Sequence, residues 1–211
     1  MKKTLCLLLV FIMLLSVASC GSDSAFSLGR LADGEYENEM LSVYFRIPEG
    51  WHAADEKEAE SLLGMTRTVF TGKDEEELKK LEKKQSFDLG YAFVLSTEGG
   101  LDRFDLLYQK NTNKSDSASY IASAKKQLES YADLWEIRTV SNGNVTIRGR
   151  EYAQLEMVLE GGDTLLRYYY CTTEVNGYFV TMILTTSDED YSFDTFLSTL
   201  EATSAQHFEK K

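Results

Sequence analysis

Two apolar runs flank a single Asn-Gly pair near the C-terminus. They are TLLRYYYCTT at 164–173, before it, and GYFVTMILTT at 177–186, which starts on its glycine. Asn-Gly favours a turn with two positive-φ residues, the kind that joins adjacent antiparallel strands in two residues. A hairpin at Asn176-Gly177 is therefore expected. In TLLRYYYC, Leu165, Tyr169 and Cys171 fall on one face, and Leu166, Tyr168 and Tyr170 on the other. A strand apolar on both faces belongs in a sheet covered on both sides.

The rest of the C-terminal third reads as strand: WEIRTV, a turn at Asn142-Gly143, NVTIRG, EYAQLEMVLE, and a turn at Gly161-Gly162. A closing helix, SFDTFLSTLEATS, places Phe193, Phe196, Leu197 and Leu200 on one side. Upstream, SDSASYIASAKKQLESYADLW carries Ile121, Ala124, Leu128 and Tyr131 at helical spacing. Ser117 or Asp116 is placed to cap it. LGYAFVLST and RFDLLYQK read as two more strands, joined by a loop with Gly99 and Gly100.

Near the N-terminus, YENEMLSVYFRIPEGW predicts two short strands. Pro48, the one proline of the chain, stops the second because it cannot donate to a ladder. Gly50 turns the chain and Trp51 packs back. Asp55–Leu63 and Asp74–Lys84 read as helices. The second has acids in its first turn and Glu75–Lys79 and Glu76–Lys80 spaced four apart, the pattern of a solvated face.

Strands in meander order with helices inserted early and last imply an α+β fold: an antiparallel sheet flanked by helices, as in an α/β/α sandwich. GEYENEMLSVYFRIPEGW and GREYAQLEMVLEGGDTLLRYYYCTTEVNGYFVTMILTT, with the closing helix to Phe208, resemble the opening and close of the PsbP-like fold. The resemblance covers roughly Gly34 to Phe208. It implies an antiparallel sheet between helices, in proteins that mostly bind or assist other proteins. The fold includes the extrinsic photosystem protein PsbP, a Ran-binding nuclear import factor and many bacterial lipoproteins. No functional residue of that family carries over to this chain.

The first residues give an address. Lys2 and Lys3 precede an uncharged apolar run from Leu5 to Leu15, followed by small residues, the layout of a secretory signal peptide. The run falls short of the roughly 20 apolar residues of a spanning helix. Val17-Ala18-Ser19-Cys20 resembles the bacterial lipobox. Cleavage between Ser19 and Cys20 with diacylglycerol on the Cys20 thiol is expected, and two acyl chains suffice for stable anchoring. The predicted organisation is a lipoprotein signal peptide at 1–19, a flexible tether at 20–33 spanning about 20 Å, and a single PsbP-like domain at 34–211.

Loss of the signal would leave 20 Lys and Arg against 34 Asp and Glu, a net charge of −14. A polyanion does not bind nucleic acid through counterion release, and anionic headgroups repel it. Membrane lipid reached through acylated Cys20 is therefore one expected partner, and an envelope protein another. Cys171 would be the remaining thiol, most simply a small buried hydrophobe.

Signals for chemistry are few. The two histidines, His52 and His207, lack neighbours at metal-ligand spacing, and neither a metal nor a cofactor is expected. HExxH, GxSxG, P-loop and dinucleotide-glycine patterns are absent from the sequence. The acidic Ser187–Asp190 lacks calcium-loop spacing. No catalytic residue is assigned. Tyr168, Tyr170 and Tyr178 concentrate aromatics near the Asn-Gly hairpin and are candidates for a partner face. A non-catalytic binding or accessory lipoprotein is the first expectation. A small-ligand carrier serving a transporter, or a carboxylate-dependent enzyme on envelope substrates, are the alternatives.

Overall fold

The computed structural model describes residues 26–55, 57–59, 89–98, 102–188 and 193–209. The strands are β1 (Arg30–Ala32), β2 (Glu35–Asn38), β3 (Val43–Arg46), β4 (Trp51–Ala53), β5 (Leu89–Thr97), β6 (Arg103–Lys110), β7 (Glu136–Ile147), β8 (Arg150–Gly161), β9 (Thr164–Val175) and β10 (Tyr178–Thr186). Among the described residues, helices α1 (Ser117–Glu129) and α2 (Phe193–Phe208) accompany them. A three-stranded sheet runs β1-β2-β3, and a seven-stranded sheet runs β4-β5-β6-β10-β9-β8-β7. Every pairing is antiparallel.

The Asn176-Gly177 hairpin forms as expected. Both residues take positive φ, 51° and 78°, and Val175 pairs with Tyr178. The same dipeptide at Asn142-Gly143 does not turn the chain, which corrects the sequence expectation. β7 runs straight through it, and the turn falls at Arg148-Gly149, with φ of 50° and 74°. The cause is β8, a strand of 12 residues that needs a partner of equal length. A turn at 142–143 would leave half of β8 unpaired and pull Val145 and Ile147 away from the core they join. The turn expected at Gly161-Gly162 moves one residue on, because Gly161 still pairs with Thr164.

Alternation in the central strands splits the core into two. Phe104, Leu106, Tyr152, Tyr169, Cys171, Met182 and Leu184 face one way. Leu107, Leu155, Met157, Leu159, Tyr168 and Ile183 face the other. On the second face α1 packs on β8 and β9 through Ile121 and Leu128, and its Tyr120 meets Phe179 of β10, ring centroids 4.6 Å apart. The Asp116 carboxylate caps α1 by accepting from Ser119 N at 2.7 Å. On the first face the described cover is the small sheet with α2 packed along β3. A helical layer was expected there. Among the described residues that face is covered by the small sheet, whose β2 and β3 supply Tyr36, Val43 and Phe45, together with α2, which supplies Leu197 and Leu200. Residues 57–59 are helical. The rest of the two helices expected at Asp55–Leu63 and Asp74–Lys84 lies outside the described residues.

The domain also starts earlier than Gly34, shortening the tether expected at 20–33. Arg30–Ala32 form β1 against β2. Tyr36 Oη donates to Leu28 O at 2.8 Å, and Asn38 Nδ2 donates to Ser27 O at 3.2 Å. Phe26 stacks on Tyr178 with ring centroids 4.1 Å apart. The polar, glycine-containing segment hid this strap, since Phe26, Leu28 and Leu31 have no strand periodicity.

Candidate functional site

The three tyrosines expected to share a partner face are not brought together. Tyr168 and Tyr170 lie on the α1 face of the large sheet, and Tyr168 is buried. Tyr178 lies on the opposite face, under Phe26. The hairpin register explains the separation: Tyr178 pairs with Val175 next to the turn, whereas Tyr168 pairs with Thr185 at the far end of β10. Only Tyr170 and Tyr178 keep partial exposure.

His52 sits on the short strand β4, with Nε2 2.6 Å from Glu58 Oε1, and both groups are exposed. His207 stacks flat on Tyr44, centroids 3.9 Å apart, with Nε2 3.2 Å from Glu37 Oε1. Cys171 is buried as expected, and burial pushes its thiol well above the ordinary range. Ser19 and Cys20 lie outside the described residues. Among the described residues no group of three or more His, Cys, Asp or Glu is placed to hold a metal, and no helix is long and apolar enough to cross a membrane.

The structure instead assembles a cleft of about 780 Å³, open to solvent. Its walls come from four separated segments. Ser27 and Arg30 belong to the N-terminal strap, Glu37, Glu39 and Met40 to β2 and the bend after it, Arg150 to the start of β8, and Glu174, Val175 and Asn176 to the hairpin. Local chemistry fixes each wall. Asn38 Oδ1 accepts from Leu41 N at 3.0 Å, folding the chain tightly after β2. Arg150 Nη2 donates to Met40 O at 2.9 Å, and Asn176 Nδ2 contacts Met40 Sδ at 3.7 Å, tying that bend to the large sheet. The lining thus carries two cations, Arg30 and Arg150, and three acids, Glu37, Glu39 and Glu174. Beneath the strap, the apolar pocket lined by Phe26, Leu106 and Val180 holds only about 10 Å³.

A second polar feature is buried. Along one row of the α1 face, Ser96, Arg103, Thr185 and Tyr168 stand opposite one another on β5, β6, β10 and β9. Arg103 forks onto one oxygen of Asp105, Nε at 2.9 Å and Nη2 at 2.8 Å. The other oxygen, Asp105 Oδ1, has no hydrogen-bond partner among the described residues. Burial pushes the Asp105 carboxyl up to about 6, despite the Arg103 charge, which pulls it down. Burial likewise raises the Tyr168 phenol. Sequence reading passed over this pair. Its signal was Arg103 and Asp105 at alternate positions of a strand, on the face shared with Leu107.

No protein-family model matches the chain. No curated protein sequence matches it. Among solved structures, the fold is similar to that of the cyanobacterial PsbP, CyanoP, from Synechocystis sp. PCC 6803. Identity is 15%, with 88% of this chain and 95% of that chain covered at a TM-score of 0.50. The likeness gives the chain a sheet-rich, PsbP-like fold. A protein of unknown function from Pseudomonas aeruginosa, PA94, aligns at 16% identity over 60% of this chain and 82% of that chain. Its TM-score of 0.34 is too low to bear on the fold.

Proposed function

We propose that the chain is an extracytoplasmic lipoprotein, held to a membrane by acylated Cys20, whose PsbP-like domain binds a protein partner through the open cleft without catalysing a reaction. The cleft is the observation that carries this reading. Small-molecule sites are enclosed and mostly apolar. This one is open, carries charges of both signs and is built from a strap, a bend and a hairpin tip. Such a surface suits complementary side chains of another protein, with the charge pattern setting register. The small apolar pocket beside it gives no room for the cargo of a ligand carrier.

Two experiments test the two halves. Cells producing the Cys20→Ala chain and fed a labelled fatty acid are expected to yield unlabelled protein that leaves the membrane fraction. Retention of label at wild-type level would remove the anchor. For the cleft, a photoreactive side chain replacing Arg30 is expected to give a discrete protein adduct in the membranes of the producing organism. The same group replacing Lys126, exposed on α1, is expected to give none. Adducts from Lys126 but not Arg30 would move the binding surface to the other side of the domain.

A further inference from the structure

Among the described residues, three of the four sheet ends are blunted. β1 and β4 are three residues long. On β3, the Tyr44 N–H donates to Ser204 Oγ at 2.9 Å, and the Tyr44 carbonyl accepts from Ser204 Oγ and Thr203 Oγ1 at 2.9 and 3.0 Å, so α2 caps that edge. The fourth end, β7, is 12 residues long and largely exposed, with β8 on one side and no strand of the described residues on the other. Long open edges are the usual templates for strand addition, and proteins normally defend them with lysine, proline or bulges. β7 has neither lysine nor proline. It has one bulge, between Thr139 and Ser141, which leaves Ser141–Ile147 as a regular, uncharged stretch. In a chain with 34 acids and 22 bases, β7 carries one of each, Glu136 and Arg138.

The direction of its free groups follows from the turn. Ile147 and Arg150 flank the two-residue turn Arg148-Gly149, so they exchange both of their backbone hydrogen bonds. Alternation then aims the N–H and C=O of Asn142, Asn144 and Thr146 away from β8. We propose that Ser141–Ile147 is a pairing edge for a second copy of this chain, joined antiparallel about a two-fold axis at Asn144. That register sets Asn144 opposite itself, Asn142 opposite Thr146, Gly143 opposite Val145 and Ser141 opposite Ile147. Opposed residues lie on the same face of the joined sheet, and no like charges meet. Nothing within 4 Å crowds the Cβ position of Gly143, leaving room for the partner's Val145. The pairing makes about six backbone hydrogen bonds, two from each hydrogen-bonded pair. Repulsion between two acidic copies acts at longer range and is screened over about 8 Å at physiological salt.

The test uses the full chain in membranes. Asn144→Cys places two thiols across the axis, with Cα atoms about 5.5 Å apart, within disulfide reach. Mild oxidation is expected to convert most of it to a species of twice the chain mass on a non-reducing gel, well above the background of the unsubstituted chain, whose Cys171 is buried. Val140→Cys, exposed but in the bulge, is expected to stay near background. Asn144→Pro deletes one outward N–H without touching the β8 ladder, and is expected to weaken self-association in detergent at least tenfold by sedimentation. A monomeric Asn144→Cys chain, an adduct with a different protein in place of the dimer, or equal cross-linking from Val140→Cys would each overturn the proposal.

Discussion

Asp105→Ala is expected to destabilise the domain by about 3–5 kcal/mol, the range for breaking a buried ion pair from one side. At about 2–4 °C per kcal/mol for a domain of this size, the midpoint falls by roughly 10 °C. Arg103 and Asp105 are 6% and 1% exposed, in the interior of the α1 face. Removing the carboxylate leaves the Arg103 guanidinium in a low-dielectric site without the charge it forks onto. The joint change Arg103→Met with Asp105→Leu removes both charges and is expected to recover most of the loss. Chemical denaturation of the single and double variants decides the matter. A single-variant loss under about 1 kcal/mol would mean that solvent reaches the pair.

The same carboxyl carries a pH dependence of determinate sign. Its folded-state pKa, about 6, lies above the unfolded value of 3.8, so the folded chain binds that proton more tightly. The resulting stabilisation is complete below about pH 4 and is lost as pH rises through about 6. Asp105→Asn is expected to flatten that stretch of the stability curve.

Local chemistry made much of the fold legible in the sequence. Asn176-Gly177 turns because both flanking runs end there, and Arg103–Lys110 alternates as a strand should. Identical chemistry at Asn142-Gly143 misled, because strand length is a tertiary property: β8 demanded a partner that ran on to Ile147. The cleft was hidden for a related reason. Arg30, Met40, Arg150 and Asn176 are far apart in sequence and meet through single contacts such as Arg150 to Met40 O. The Arg103–Asp105 pair was visible as alternation, yet charges in a strand are ordinarily assigned to solvent.

Gly29→Ala is expected to detach the strap from the domain. Gly29 takes φ +74°, a conformation costing a residue with a Cβ roughly 1–2 kcal/mol. Its added methyl would lie 2.5 Å from the Glu37 carbonyl oxygen, 2.8 Å from Tyr36 Oη and 2.9 Å from Asn38 Cβ. Glu37 is held in the β2 ladder and cannot retreat, so the strap must move instead. β1 then loses its register on β2, Tyr36 loses its bond to Leu28 O, and Phe26 lifts from Tyr178. The expected cost is about 2–3 kcal/mol, combining the conformational term with the displaced packing. Because the strap is peripheral, the signature is local. Protease cleavage between Phe26 and Ala32 should quicken by tenfold or more, while the large sheet keeps its cooperative transition. Arg30 and Ser27 leave the cleft wall with the strap, so cross-linking from Arg30 should fall in the same variant. Unchanged cleavage within Phe26–Ala32 would mean that the strap is not seated on β2 as described.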